Sequence, residues 1–284
     1  MLKYILFLLI FIKVPSLTAG QTSPFHSYKD HFGFGKFLFF DEDYLRAISE
    51  FRKALYYHDL ADVENSDSIN YLIGISYSKI KEYDLSNQYL AKISRRHASL
   101  FERSVIEAGK NLLNSNETEL AIYHLKNISP NNLSDNFLRK QSILLSSSYL
   151  LANDPASASA ILSAAELEHI KLNSLLHDLE NFKAKSPVLA GVLSGVVPGT
   201  GRFYTGDITE GLTSMFTIGL FGYRTFLEYR QNGINSWGFW AFGLATFYFY
   251  SGNVYGSVVS ARLYNRNFYN GLRNHILDFI NEMD

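Results

Sequence analysis

Small and apolar positions recur in a fixed order along the first half of the chain. A small residue is followed three positions later by an apolar or aromatic one. A second small residue then appears, with an aromatic or Leu four positions on and a further apolar or small residue three beyond that. The sets are Gly35, Leu38, Ala47, Phe51, Ala54; Gly74, Tyr77, Ser86, Leu90, Ile93; Gly109, Leu112, Ala121, Leu125, Ile128; and Ser146, Tyr149, Ala158, Leu162, Ala165. They are offset by 39, 35 and 37 residues. Spacings of three and four mark one face of a helix. Polar strings divide each set: Asp41-Glu42-Asp43, Lys81 to Asp84, Asn114-Ser115-Asn116 and Asn153-Asp154-Pro155. The pattern predicts four pairs of antiparallel helices over residues 28–165. Small residues let the two helices of a pair approach, and large ones fill the seam with the next pair, which is the logic of an α-solenoid.

A helix at Glu166–Lys183, with Leu167, Ile170, Leu175, Leu179 and Phe182 among charges, is expected to cap the stack, residues 166–185 serving as cap and linker. The pattern changes at Pro187, which disfavours helix at the residue before it. Three apolar segments follow, Val188–Val197, Ile208–Tyr229 and Ser236–Ser251, and residues 186–256 are expected to be a transmembrane helical region. Trp237, Trp240, Tyr248 and Tyr250 fit an aromatic belt. The pairs Gly191/Gly195, Gly195/Gly199 and Gly252/Gly256 have the four-residue spacing that permits close helix contact in lipid. Residues 257–284 mix Val258, Leu263, Phe268, Leu272, Ile276, Phe279 and Ile280 with Arg262, Arg266, Arg273 and Asp278, predicting a separate amphipathic helix.

Composition sharpens this division. Lys and Arg number 16 against 21 Asp and Glu in residues 21–182, and 8 against 6 in 183–284, with only six charged residues between Ser186 and Gly256. No basic run interleaved with aromatics appears, so nucleic acid is not an expected partner. At the N-terminus Lys3, the apolar stretch Tyr4–Ile12 and Leu17-Thr18-Ala19 have the layout of a signal peptide over residues 1–20. Nine apolar residues reach about 14 Å as a helix, short of a hydrocarbon core of roughly 30 Å. The chain has no cysteine, which removes disulfides, thiolate metal sites and the lipid-bearing cysteine of a lipoprotein.

The repeat resembles the tetratricopeptide repeat of about 34 residues, without that family's Trp at position four or Pro at position thirty-two. The resemblance implies a concave groove for a protein or peptide partner, lined by Phe32, Lys36 and Phe39, by Tyr71, Ile75 and Lys79, and by Ile106, Lys110 and Asn114. The string Pro198-Gly199-Thr200-Gly201-Arg202-Phe203-Tyr204-Thr205-Gly206-Asp207 with Gly211 resembles a group of small bacterial membrane domains, the two-transmembrane-helix domain family and its relatives. In them a Pro-Gly-x-Gly loop, a Tyr and a Gly precede a helical hairpin. Pro198, Gly199, Gly201, Tyr204 and Gly206 are the loop positions carried over. Together the resemblances imply an all-α chain, a tetratricopeptide-like solenoid followed by a hydrophobic hairpin in a membrane.

Candidate chemistry changes little. Gly201-x4-Gly206 mimics a phosphate loop, but Asp207 stands where the lysine belongs, and Gly199-x-Gly201 lacks the third glycine of a dinucleotide fingerprint. The eight histidines are scattered, and Ser194 is not in a Gly-x-Ser-x-Gly elbow. No catalytic residue, metal or cofactor is expected. The expectation is a non-enzymatic, membrane-tethered scaffold of the bacterial envelope, exported, with its repeats in the periplasm at the inner membrane; the outer membrane is the other location. Its partners are an envelope protein or peptide and membrane lipid, and its oligomeric state is open. The alternative makes the C-terminal region itself functional, in an envelope transport or membrane-protein-insertion assembly.

Overall fold

In the computed structural model, which describes residues 27–57, 63–128, 133–165 and 170–283, each of the four predicted turns carries a residue in the left-handed region. These are Glu42 (φ 60°), Lys81 (65°), Asn116 (68°) and Asn153 (60°). Each lies seven positions after the small residue that opens its set. The hydrogen bonds repeat as well. The Glu42, Lys81, Asn116 and Asn153 N–H groups donate to the carbonyls of Phe39, Ser78, Leu113 and Leu150. The next residues, Asp43, Glu82, Glu117 and Asp154, donate to Leu38, Tyr77, Leu112 and Tyr149 at 2.8–2.9 Å. This paired closure satisfies carbonyls that the end of a helix would leave bare.

The helices so joined are α1 (Tyr28–Phe40) to α2 (Tyr44–Tyr57), α3 (Val63–Lys79) to α4 (Tyr83–Leu90), α5 (Ala98–Asn114) to α6 (Thr118–Lys126), and α7 (Asp135–Leu151) to α8 (Pro155–Ala164). After them come α9 (Ile170–Asn181), α10 (Pro187–Val196), α11 (Thr200–Thr205), α12 (Ile208–Asn232) and α13 (Trp237–Asn281). No strand occurs among the described residues. The described residues are all-α, and α1–α8 form successive helical hairpins. The segment expected to be a signal peptide lies outside the described residues.

By contacts the chain divides into one compact unit up to Asn111 and another from Leu112. In the first, Leu38, Ala47, Ile48, Phe51, Ala54, Ile69 and Ile73 form a core shared by α1, α2 and α3. The small-against-large rule is visible in the distances: a Cβ on Gly35 would lie 2.7 Å from the Phe51 ring, and one on Gly74 2.8 Å from Leu90. Asn111 is 0% exposed yet fully engaged. Its amide oxygen accepts from the Ser78 hydroxyl at 2.7 Å, and its amide N–H groups reach Ser86 at 2.8 Å and Asn87 at 2.9 Å. It links α3, α4 and α5 where an unpartnered amide would be costly.

In the second unit Leu172, Leu175 and Leu179 bury one face of α9, which packs on α7 and α8. Helix α10 begins at Pro187 because Ser186 caps it, its hydroxyl accepting the Leu189 N–H at 3.3 Å. Residues expected to form a linker are pinned to α13 instead. The Phe182 ring stacks on Phe268 with centroids 3.6 Å apart, and Lys185 exchanges two hydrogen bonds with the Asn265 amide at 2.8 and 2.9 Å.

Two expectations need correction. Residues 257–284 do not form a helix of their own: α13 runs unbroken for 45 residues, because Gly252 and Gly256 sit in its interior without opening a turn. Its distal stretch packs on α7 and α9, burying Leu272, Ile276, Phe279 and Ile280. Nor is the hairpin of Ile208–Tyr229 and Ser236–Ser251 membrane-spanning. The hairpin exists as α12 and the first part of α13, with Phe221 against Phe242 and Phe249 and Thr225 bonded to Thr246 at 3.2 Å. However, no described helix is long and apolar enough to cross a membrane. Helix α12 carries Glu210, Arg224, Glu228 and Arg230 within 25 residues, and the apolar start of α13 soon reaches Asn253.

Candidate functional site

The nine groove positions fall into distinct environments, Phe39 and Ile75 being half-buried. Phe32 is half-buried against the first core, with the exposed Lys36 ammonium 4.8 Å from its ring. Tyr71 packs on Leu90, Ile93 and Ala108, with the Arg103 guanidinium 5.7 Å from its ring. Burial pushes its phenol pKa up, and the Glu107 carboxylate adds to this. Ile106 and Lys110 are buried, and the Lys110 ammonium lies 3.2 Å from Glu107. Lys79 is exposed. Asn114 is engaged within the second unit, where its amide and that of Asn281 exchange hydrogen bonds at 3.0 and 3.1 Å. Nearby the Arg273 guanidinium donates to the Leu113 carbonyl at 2.9 Å. Of the nine, Lys36 and Lys79 are exposed to solvent.

The open apolar surface of the first unit lies elsewhere. Phe34, Phe37 and Phe40 on α1 and Leu45, Tyr56 and Tyr57 on α2 are exposed. A shallow pocket of about 480 Å³ is lined by Leu45, Ile48, Ser49, Arg52, Lys53, Tyr56 and Tyr57. Behind it Glu50 bonds to both His31 and Lys53 at 2.7 Å. Partial burial opposes its charge, but the bonds from Lys53 and His31 win and hold the carboxyl below its ordinary pKa. Single exposed aromatics carry no periodic pattern, so nothing in the sequence singles these residues out.

The loop Pro198–Gly206 is where α10, α11, α12 and α13 meet. Pro198 is half-buried in the turn between α10 and α11. Gly199 has φ 88°, and a Cβ on it would lie 2.1 Å from the Gly211 carbonyl oxygen; one on Gly201 would lie 1.9 Å from the Ala190 oxygen. Such approaches admit only glycine. The freed N–H groups are used: Gly199 donates to the Asn253 amide oxygen at 3.0 Å and Gly201 to the Ser194 hydroxyl at 2.9 Å. Ser194 and Ser257 hydroxyls are 2.6 Å apart, as are those of Thr205 and Ser260, and Ser260 donates to Asp207. The Tyr204 hydroxyl accepts the Ser186 N–H at 3.1 Å, while the Lys185 ammonium stands 4.7 Å from its ring. Gly206, with φ 93°, ends α11. Arg202 pairs with Glu210 and lies against Gly256. Of the paired glycines, Gly191 meets Val258, whereas Gly195 and Gly252 face open space. The loop residues thus form a buried polar joint between helices.

Around this joint the same helices present apolar side chains outward. On α12 the exposed positions are Ile208, Leu212, Phe216, Leu220, Tyr223 and Phe226, at steps of three and four that make one continuous stripe. Trp237, Trp240, Leu244, Phe247, Tyr248 and Tyr255 do the same on α13, and Val188, Val192 and Val196 on α10. Trp237 is 84% exposed. Monomeric proteins rarely leave apolar surface of this extent in water. Arg224 and Glu228, the charges nearest the middle of the hairpin, pair with each other at 3.2 Å.

Among the described residues no group of three or more His, Asp or Glu side chains is placed to hold a metal ion. Comparison with known proteins finds no match to any family model, curated protein or solved structure. The two family resemblances drawn from the motifs are corrected accordingly. With no matching family and no described helix long and apolar enough to cross a membrane, the chain is assigned neither to the tetratricopeptide family nor to the two-transmembrane-helix group. Repeated helical hairpins and a glycine-rich joint remain as its features.

Proposed function

We propose that the chain is a non-enzymatic interaction protein of the bacterial envelope, in which the hairpins receive a protein or peptide and the C-terminal helices hold it against a membrane. The observation that carries this reading is the set of outward apolar stripes on α10, α12 and α13. From Ile208 to Phe226 the α12 stripe runs about 27 Å at the rise of a helix. Lipid is the favoured cover because Trp and Tyr recur in the stripes, and their rings suit the boundary between acyl chains and headgroups. Export rests on the layout of Lys3, Tyr4–Ile12 and Leu17–Ala19 and places the hairpins in the periplasm. For the partner, the open aromatic surface of α1 and α2 offers more area than the buried groove positions. Aromatic anchors of this kind dominate interface energetics.

Full-length protein mixed with phospholipid vesicles is expected to float with them on a density gradient. Phe216→Glu with Trp240→Glu, both at exposed positions, should abolish flotation while leaving helical circular dichroism intact. Flotation equal to that of the unaltered chain would refute the membrane reading.

A further inference from the structure

Helix α3 carries two polar side chains on one face that burial leaves short of partners. Asp67 is 3% exposed and Asn70, one turn on, 5%. One carboxylate oxygen of Asp67, Oδ1, accepts the Ser94 N–H at 3.1 Å, tying α3 to the connection between α4 and α5. Its other oxygen, the amide oxygen of Asn70 and the Nδ1 atom of His97 are buried and have no hydrogen-bond partner among the described residues. The His97 N–H bonds to the Ser94 carbonyl at 3.1 Å, so the turn that Asp67 holds is the turn that carries the imidazole. Arg95 lies on the same connection, but its guanidinium sits 5.1 Å from the Phe101 ring.

A buried carboxylate is stable when it is neutralised, paired or bound to a cation. A carboxylate oxygen, an amide oxygen and an imidazole nitrogen together suit a first-row divalent cation of the Zn²⁺ kind. Mg²⁺ and Ca²⁺ prefer oxygen alone. We propose that Asp67, Asn70 and His97 form a divalent-cation site, completed by water, that clamps α3 to the α4–α5 connection. A single ordered water donating to Asp67 and Asn70 and accepting from His97 satisfies the same atoms without a metal, and the experiment must separate the two.

Full-length protein stripped with a chelator is titrated with ZnCl₂ while metal stoichiometry and thermal midpoint are followed. Saturation at a single equivalent with a rise in midpoint is expected. Asp67→Asn, which retains an acceptor for Ser94, and His97→Gln should each weaken binding at least roughly tenfold, the scale seen even for residues that only support a ligand. Absence of saturable binding by the unaltered chain, the water-only result, overturns the proposal, as does unchanged Zn²⁺ affinity in the variants. Should Asp67→Asn prove unfolded, His97→Gln, on the connection outside the helices, decides alone.

Discussion

The hairpins and the α10–α13 joint both bring backbones close, but they do so under different rules. In the hairpins a small residue faces a large side chain, Gly35 against Phe51 and Gly74 against Leu90, and the neighbour is the rim of a ring or a branched tip. At the joint the neighbour is backbone: the Gly211 carbonyl against Gly199 and the Ala190 carbonyl against Gly201. Side chains yield by changing rotamer, whereas a packed carbonyl does not. The repeated region therefore tolerates varied residues at its small positions, including Ser146 in the fourth set, while the joint accepts one residue type.

The contrast breaks most visibly at Gly201. Gly201→Ala places a methyl within 1.9 Å of the Ala190 oxygen and also disturbs the Ser194 bond. It should cost about 3 kcal/mol or more in denaturant unfolding. Gly195→Ala, six residues earlier, where an added Cβ meets open space, should be neutral or gain up to about 1 kcal/mol of helix propensity. Equal effects would mean that close approach is not what selects glycine there.

A smaller effect sharpens the hairpin side. Lys81 holds φ 65°, a conformation that carries a steric cost for any residue with a Cβ. Lys81→Gly should stabilise by about 0.5–1 kcal/mol by thermal or chemical unfolding. At the equivalent Asn116, a residue that tolerates the left-handed region, Gly should gain only a few tenths of a kcal/mol, roughly. A larger gain at Asn116 than at Lys81 would count against the shared turn geometry.

Much of the architecture could be read in advance because a small residue opposite a large one leaves a trace in composition at a fixed spacing. The left-handed turn residues left an uneven one: Asn116 and Asn153 are of a type that favours that conformation, whereas Glu42 and Lys81 are not. Asn111 was equally hidden. A mid-helix Asn reads as solvent-facing, and only the hydroxyls and amide of Ser78, Ser86 and Asn87 make its burial tenable. At the joint the glycines announced close contact, but the bonds from Gly199 to Asn253, between Ser194 and Ser257 and between Thr205 and Ser260 each join residues more than fifty apart in sequence. Burial along the groove positions was not legible either, because the half-buried Tyr71 and the buried Lys110 share the spacing of exposed residues. The expected spans rested on aromatic-rich apolar segments, but the helix that the longest of them forms, α12, also carries Glu210, Arg224, Glu228 and Arg230.

Both tryptophans, Trp237 and Trp240, lie on the outward stripe of α13, and they give the most direct reading of the central proposal. Intrinsic fluorescence of the full chain should shift to the blue on adding phospholipid vesicles and be quenched by lipids brominated on their acyl chains. Emission unchanged by vesicles and insensitive to brominated lipid would contradict a membrane-facing role for these helices.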